Sequence, residues 1–272
     1  MIFAHDKGRL CNNILQYAHV YAWGREHHRK TMSIRFAYKY RYFQICHTPR
    51  HNFFLYVWAK YMSKWGLIPV VRFDEPNDTG SKEKEALMLN KNTLLVEGWY
   101  ARWYDLFLKY KQDIIETFSF DKKVTIRPNQ LMASVSDGAI RLGMHIRRGD
   151  YKTFYDGRFF YTDEQYINLI HQFLALHPGQ PVHIFICGNE RSLDREAYRQ
   201  ALPDTSIDFP CGNPGEDLYL LSQCDYLIGP PSTFTLVASM YRDVPLCWVD
   251  DIQRPLTASS FGKFDDLFKH IY

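Results

Sequence analysis

The stretch Met144-His145-Ile146-Arg147-Arg148-Gly149-Asp150-Tyr151-Lys152 closes an apolar run with two adjacent arginines, a glycine and a carboxylate. Arginine carries a planar fork of donors that matches phosphate oxygens, and Gly149 lets the backbone turn closely around a ligand. A second anion-binding feature stands downstream. The run 225–229 leads into Pro230-Pro231-Ser232-Thr233-Phe234 and then a helical pattern, which puts two hydroxyls and backbone N–H groups at a helix start. Two such devices on neighbouring strand ends point to a diphosphate. Each has a plainer alternative: adjacent arginines form surface ion pairs, and Ser-Thr before a helix is an ordinary N-cap. Their joint placement carries the information. Arg148-Gly149-Asp150 also spells the tripeptide read by adhesion receptors, but that role needs an exposed loop tip, not the end of an apolar strand.

The elements that must position these residues are legible from about Gly138 onward. Short apolar runs at 140–146, 182–187, 206–209, 225–229 and 245–249 alternate with helical spacing at 162–176, 191–201, 216–223 and 233–241. A rhythm of strand and helix predicts a mainly parallel sheet with helices on both faces, an α/β fold whose ligands bind beyond the carboxyl ends of the strands. Arg147 to Asp150 then form the carboxyl-end loop of the first of these strands.

Composition sets the bounds. A chain of 272 residues with 46% hydrophobic and 23% charged residues folds around a sizeable core, as one large domain or two smaller ones. A net charge of +3 does not by itself imply nucleic acid, while 16% aromatic content suits surfaces that meet sugars or flat ligands. Cysteines 11, 46, 187, 211, 224 and 247 form no C-x-x-C pair, and several lie in apolar runs. They read as buried free thiols in a reducing compartment. No segment approaches 18 uninterrupted apolar residues and the start has no long apolar core, so the expectation is a soluble cytoplasmic chain without an export signal.

His145-Ile146-Arg147-Arg148-Gly149-Asp150-Tyr151 resembles the H-x-R-R-G-D-Y motif of the glycosyltransferase family that contains the α-1,2-fucosyltransferases. Three further stretches are similar to that family in the right order. Lys7-Gly8-Arg9-Leu10-Cys11-Asn12-Asn13-Ile14-Leu15-Gln16-Tyr17-Ala18 is similar to its opening G-x-L-G-N-Q-M-F-Q-Y-A. Glu97-Gly98-Trp99-Tyr100 is similar to its G-Y-x-Q segment, and 217–234 to its D-x-x-L-M-S-x-C … N-S-T-F block. The sequence departs from the pattern where Gly229-Pro230-Pro231 replaces the Asn before S-T-F, where Thr235-Leu236-Val237 replaces S-W-W, and where Cys187-Gly188-Asn189-Glu190 replaces S-D-D.

The resemblance implies a GT-B-like fold of two Rossmann-like lobes, with residues 1–135 on the acceptor side and 136–272 binding the GDP-sugar. It implies an inverting transfer of L-fucose from GDP-β-L-fucose to a glycan hydroxyl, with an α-1,2 linkage, in surface-polysaccharide or lipopolysaccharide synthesis. Arg147, Arg148, Ser232 and Thr233 would stabilise the leaving GDP. His145 and Asp217 would hold the guanine, Asp217 because a carboxylate can accept from both N–H groups of the guanine edge; the alternative is that Asp217 only caps its helix. Gly8 and Asn12 of the opening motif would also contact the donor. Asp156 is the candidate base for the acceptor hydroxyl, and Asp150 the next. Another GDP-sugar as donor, or a non-catalytic nucleotide-sugar-binding or adhesion protein, are the alternatives.

No D-x-D and no H-E-x-x-H occurs in the sequence. Arginines would stand where metal-dependent glycosyltransferases hold a divalent cation, so no metal and no separate cofactor is expected. Between Trp23 and Phe54 lie seven Lys or Arg (25, 29, 30, 35, 39, 41 and 50) against one acid, Glu26, interleaved with aromatics. That region is a solvated basic face or a peripheral docking surface for an anionic lipid-linked or membrane-bound glycan. RNA stacking lacks an accompanying motif.

Overall fold

The computed structural model describes residues 1–5, 7–49, 51–188 and 193–271. It divides into two compact units, Met1–Lys122 and Lys123–Tyr272.

The first unit runs β1 (Ile2–His5), α1 (Leu10–Glu26), β2 (Thr31–Ser33), α2 (Phe53–Lys64), β3 (Val70–Arg72), α3 (Lys82–Asn90), β4 (Leu94–Glu97), α4 (Tyr104–Lys109) and α5 (Lys111–Thr117). Its four strands are all parallel, in the order β2-β1-β4-β3. The turn into α1 is tied by side chains that follow it. Gln16 accepts from Lys7 N at 3.2 Å and donates to Asn12 O at 3.0 Å, and Asn13 donates to Gly8 O at 3.1 Å. Gly8 sits at φ +92°, a conformation that costs glycine little. Much of the aromatic content is spent in this unit's core: Phe36, Phe43 and Phe118 meet edge-on, with centroids 5.0 to 6.0 Å apart. Each such ring contributes about 1.5–3 kcal/mol by burial alone.

The second unit begins in α6 (Lys122–Ala133) and continues β5 (Ile140–Ile146), α7 (Asp163–Leu176), β6 (Val182–Gly188), α8 (Arg195–Ala201), β7 (Ser206–Asp208), α9 (Pro214–Ser222), β8 (Tyr226–Gly229), α10 (Thr233–Met240), β9 (Leu246–Trp248) and α11 (Phe264–Leu267). The division falls after Lys122, not near 135, because α6 is held by this unit. Arg127 donates to Cys211 O at 3.0 Å, and Tyr219 donates to Asn129 Oδ1 at 2.9 Å. All five strands are parallel in the order β7-β6-β5-β8-β9. Numbered from β5 this is 3-2-1-4-5, the doubly wound order whose ligand crevice opens where the winding reverses, between β5 and β8.

Local chemistry explains the small shifts from the expected boundaries. Thr162 and Gln165 form a reciprocal capping box that starts α7. Asn213 and Glu216 do the same for α9, with Pro214 as its first residue, so that helix opens two residues before the expected 216. β9 starts one residue after Pro245. The expected helix 191–201 is seen as Arg195–Ala201, capped by Asp194; residues 191 and 192 lie outside the described residues. The six cysteines are free, five of them buried and Cys211 exposed. Among the described residues no helix is long and apolar enough to cross a membrane.

Candidate functional site

The end of β5 and the start of α10 meet through one arginine. Arg147 donates to both oxygens of Asp150, Nε to Oδ1 at 3.2 Å and Nη2 to Oδ2 at 2.7 Å, and its Nη1 reaches Ser232 Oγ at 3.3 Å. Its guanidinium carbon lies 4.6 Å from the ring centre of Tyr151, whose hydroxyl donates to Pro231 O and so ties the two strand-end loops together. Ser232 caps α10 by accepting from Phe234 N at 3.2 Å, and Thr233 is the first residue of that helix. Gly229 permits the close approach: a Cβ there would stand 2.9 Å from His145 O. The cationic fork, the hydroxyl and the positive end of a helix dipole therefore share one place at the switch point of the sheet.

Arg148 does not join them. It is 7% exposed, with Nε donating to Tyr161 O at 2.9 Å and Nη1 and Nη2 to Asp163 at 3.2 and 2.6 Å. Asp163 also accepts from Tyr198 Oη at 3.0 Å. Arg148 stands past the end of β5, in the helical region at φ −113° and ψ −59°, and its side chain takes partners on a different side from those of Arg147. The expected pair of phosphate prongs is one prong, Arg147, and one buried strut, Arg148. With Arg148 buried, Arg148-Gly149-Asp150 does not form the exposed tip that an adhesion motif needs.

His145 is buried near the end of β5 and stacked on Phe234, with ring centroids 4.9 Å apart and planes at 19°. Burial, with Arg147 nearby, pushes its pKa down to about 3, so the ring is neutral at any ordinary pH. Its Nδ1 is buried with no hydrogen-bond partner. Asp217 Oδ1 is in the same condition. Burial, and then the charge of Glu216, pushes the Asp217 carboxyl up to about 7, against the pull of Arg127 and the Gly212 backbone N–H. Since Asn213 and Glu216 already cap α9, Asp217 is not needed as its cap. His145 and Cys187 are register partners on β5 and β6, and Asp217 is among the charges that raise the buried Cys187 thiol. Two buried, unmatched polar atoms thus converge on the carboxyl ends of β5 and β6. Such atoms cost about 1–3 kcal/mol each unless a ligand supplies the missing partner.

Asp150 is occupied by Arg147. Asp156 is exposed on a turn where Tyr155, Asp156 and Gly157 have φ of 47°, 54° and 78°. Gly8 lies in the β1–α1 turn of the first unit and Asn12 in the first turn of α1, and Asn189 and Glu190 lie outside the described residues. In the basic region, Arg25 pairs with Asp113 at 2.8 Å, and Arg29 donates to Met88 O and Leu89 O at 2.8 and 2.7 Å at the end of α3. Arg50 lies outside the described residues.

Sequence reasoning missed a second cluster, in the first unit. His5, Glu97 and Arg72 are the last residues of β1, β4 and β3, with His5 Nδ1 to Glu97 Oε2 at 3.1 Å and Arg72 Nε to Glu97 Oε1 at 2.6 Å. The only signal would have been charged residues closing apolar runs that pair in one sheet. Among the described residues no group of three or more His, Cys, Asp or Glu could hold a metal ion.

No family model matches the chain, and no curated protein matches it either. Solved structures do. An Arabidopsis thaliana FUT1 mutant in complex with GDP is similar over 96% of this chain and 73% of its own, with TM-score 0.59 and 13% identity. A fucosyltransferase NodZ from Bradyrhizobium is similar over 94% of this chain and 96% of its own, with TM-score 0.59 and 16% identity. POFUT1 in complex with GDP-fucose is similar over 89% of this chain and 93% of its own, with TM-score 0.54 and 12% identity. At these identities the likeness establishes the fold, the GT-B-like α/β architecture with parallel sheets.

Proposed function

We propose that the chain is an inverting glycosyltransferase that moves L-fucose from GDP-β-L-fucose to a hydroxyl of a glycan acceptor. The observation that carries the reading is the pair of buried, unmatched atoms, His145 Nδ1 and Asp217 Oδ1, at the same sheet edge as the Arg147–Ser232 anion site. A guanine edge offers two adjacent N–H donors that suit an ionised Asp217, while the diphosphate suits Arg147 and the start of α10. The similar structures include complexes with GDP and GDP-fucose, which supports the same class of donor.

In the transfer, the acceptor oxygen bonds to C1 of fucose as the bond from C1 to GDP breaks and its electron pair leaves on the β-phosphate. Arg147, held by Asp150, and the N–H groups of α10 are in place before that charge develops, so little reorganisation is needed when it does. The absence of D-x-D from the sequence fits a site in which these groups stabilise GDP without a divalent cation. The linkage is read as α-1,2 from the His145–Tyr151 motif. Incubation with a panel of GDP- and UDP-sugars, following transfer and slow hydrolysis to free nucleotide, tests the donor. Turnover of UDP-sugars alone would refute it, and preference for a different GDP-sugar would move the reading to that donor.

The same reading includes a place of action, on a lipid-linked acceptor at the cytoplasmic membrane face. From His27 to Phe73 the sequence holds nine Lys or Arg and no Asp or Glu. Within that stretch α2 exposes Phe54, Trp58 and Tyr61, and its C-cap Trp65 continues the same spacing, with Phe54 84% exposed and Lys64 beside them. Aromatic rings flanked by cations, without acids, match an anionic lipid interface.

A further inference from the structure

Past the carboxyl end of β4 the chain runs Gly98-Trp99-Tyr100-Ala101-Arg102-Trp103, a stretch that the donor reading leaves without a task. Its backbone is pinned within the first unit: Tyr100 N donates to Phe73 O at 3.0 Å, and Arg102 N to Thr79 Oγ1 at 3.0 Å. The Arg102 side chain is buried, 9% exposed, and its Nη1 and Nη2 have no hydrogen-bond partner among the described residues. Burial pulls its pKa down to about 10, so the guanidinium is still charged near neutral pH. The titratable groups that act on it, His19, Tyr100 and Tyr104, include no carboxylate.

A buried charge without a counter-charge is costly, and such groups are normally paired. Arg25, Arg72, Arg147 and Arg148 all follow that rule, each facing a carboxylate. Arg102 does not, and its neighbourhood repeats the deficit. Trp103 Nε1 and Trp23 Nε1 are also buried without an acceptor, their rings 6.1 Å apart. Guanidinium and indole carry donors only, so the missing partner is an acceptor and, at Arg102, an anion. Trp99 lies over the face of the guanidinium, with 3.8 Å from the guanidinium carbon to the ring centre, which leaves the in-plane edge of Nη1 and Nη2 for that anion. Two N–H groups in one plane match the two oxygens of a carboxylate. Trp99 is itself half-buried, so it touches both solvent and the guanidinium.

We propose that Arg102 is the floor of a carboxylate-binding site in the first unit, opened when the Trp99 ring swings aside, and that its ligand is the carboxylate of a sugar acid within a glycan. The guanidinium fork pairs with the two carboxylate oxygens, and the displaced indole offers its face to the C–H groups of the sugar ring. The glycan source rests on the glycosyltransferase reading above. The carboxylate site itself uses no residue of the second unit.

The test follows the melting temperature of the full chain, at constant ionic strength, with a hexuronate-containing oligosaccharide, its carboxyl-reduced counterpart, free glucuronate, phosphate and chloride. At about one hundred times its Kd the hexuronate oligosaccharide should raise the wild-type melting temperature by roughly 5–10 °C. The reduced oligosaccharide and chloride should have no effect, and free glucuronate should bind more weakly. Arg102→Met should lose the response. Arg102→Lys, which keeps the charge and serves if the Met variant does not fold, should weaken binding about tenfold, because a point charge lacks the fork. Binding should change the tryptophan emission of the wild type and leave that of Trp99→Phe unaltered. No shift in the wild type, or an undiminished shift in Arg102→Met, would overturn the site, and an equal response to phosphate would overturn its carboxylate class. Glucuronate binding as tightly as the oligosaccharide would overturn the glycan source. Calorimetry with GDP on the same chain separates the two readings. GDP binding without a carboxylate response refutes this site alone, while a carboxylate response without GDP binding refutes the donor reading and the glycan source with it.

Discussion

Asp150 and Arg147 face each other through two side-by-side hydrogen bonds of 3.2 and 2.7 Å, which leaves Nη1 as the arm that reaches Ser232. The carboxylate expected as the second candidate base is the one that holds this cation. Arg147→Ala should lower the transfer rate about 100- to 1000-fold, about 3–4 kcal/mol of lost charge stabilisation, with the melting temperature little changed. Lys should rescue only in part, because a point charge lacks the fork. Near-normal turnover in a folded Arg147→Ala chain would remove Arg147 from the mechanism.

Arg148→Ala should do the opposite. Its buried pairing with Asp163 and Tyr161 O belongs to the second unit's core, and removing one partner of such a pair costs about 3–5 kcal/mol of stability. Denaturant titration should show a large fall in the unfolding midpoint. An unchanged midpoint with lost GDP affinity would return Arg148 to the donor site.

Asp217 should make donor binding pH-dependent. Its pKa of about 7 in the folded chain lies above the ordinary carboxyl value, so between roughly pH 4 and 7 the native state holds a proton that the unfolded state has lost. Stability of the ligand-free chain should therefore fall as pH rises through that window and level off above about 7. On the proposed reading guanine pairs with the ionised carboxylate, so GDP affinity should rise over the same range, by roughly tenfold per unit well below the pKa. Asp217→Asn should flatten both dependences and weaken GDP by about 1.5–3 kcal/mol. Calorimetric titrations at pH 5.5, 6.5 and 7.5 check this; unchanged GDP affinity in the variant would show that guanine is read elsewhere.

Flotation with phosphatidylglycerol vesicles tests the α2 face. Wild type should bind anionic vesicles, bind neutral ones weakly, and release as salt rises, while Phe54→Ser/Trp65→Ser should lose most of the binding. Binding unaffected by that double change would place the membrane contact elsewhere.

Transfer should continue in excess EDTA. Complete loss, restored by Mg²⁺ or Mn²⁺, would mean that Arg147 and the start of α10 do not suffice for the diphosphate.

What the sequence by itself determined is what short-range physics controls. The apolar run 140–146 is strand β5 to the residue, and Ser232 caps α10, because side-chain periodicity and helix-end hydrogen bonds depend only on near neighbours. The strand-helix rhythm likewise implied a parallel sheet with a ligand edge. Only the tertiary structure decided which charges meet there. Arg147 and Arg148 are adjacent in sequence, yet the first reaches Ser232 and the second Asp163, partners 85 and 15 residues away that only the fold brings within reach. Asp217 reads locally as a helix cap; the cap is Asn213, and burial is what turned Asp217 into an unmatched acceptor. His5, Arg72 and Glu97 are one row only because β1, β4 and β3 pair in that register. Strand register is fixed by the burial of whole faces across the sheet, an interaction that no local window of sequence contains.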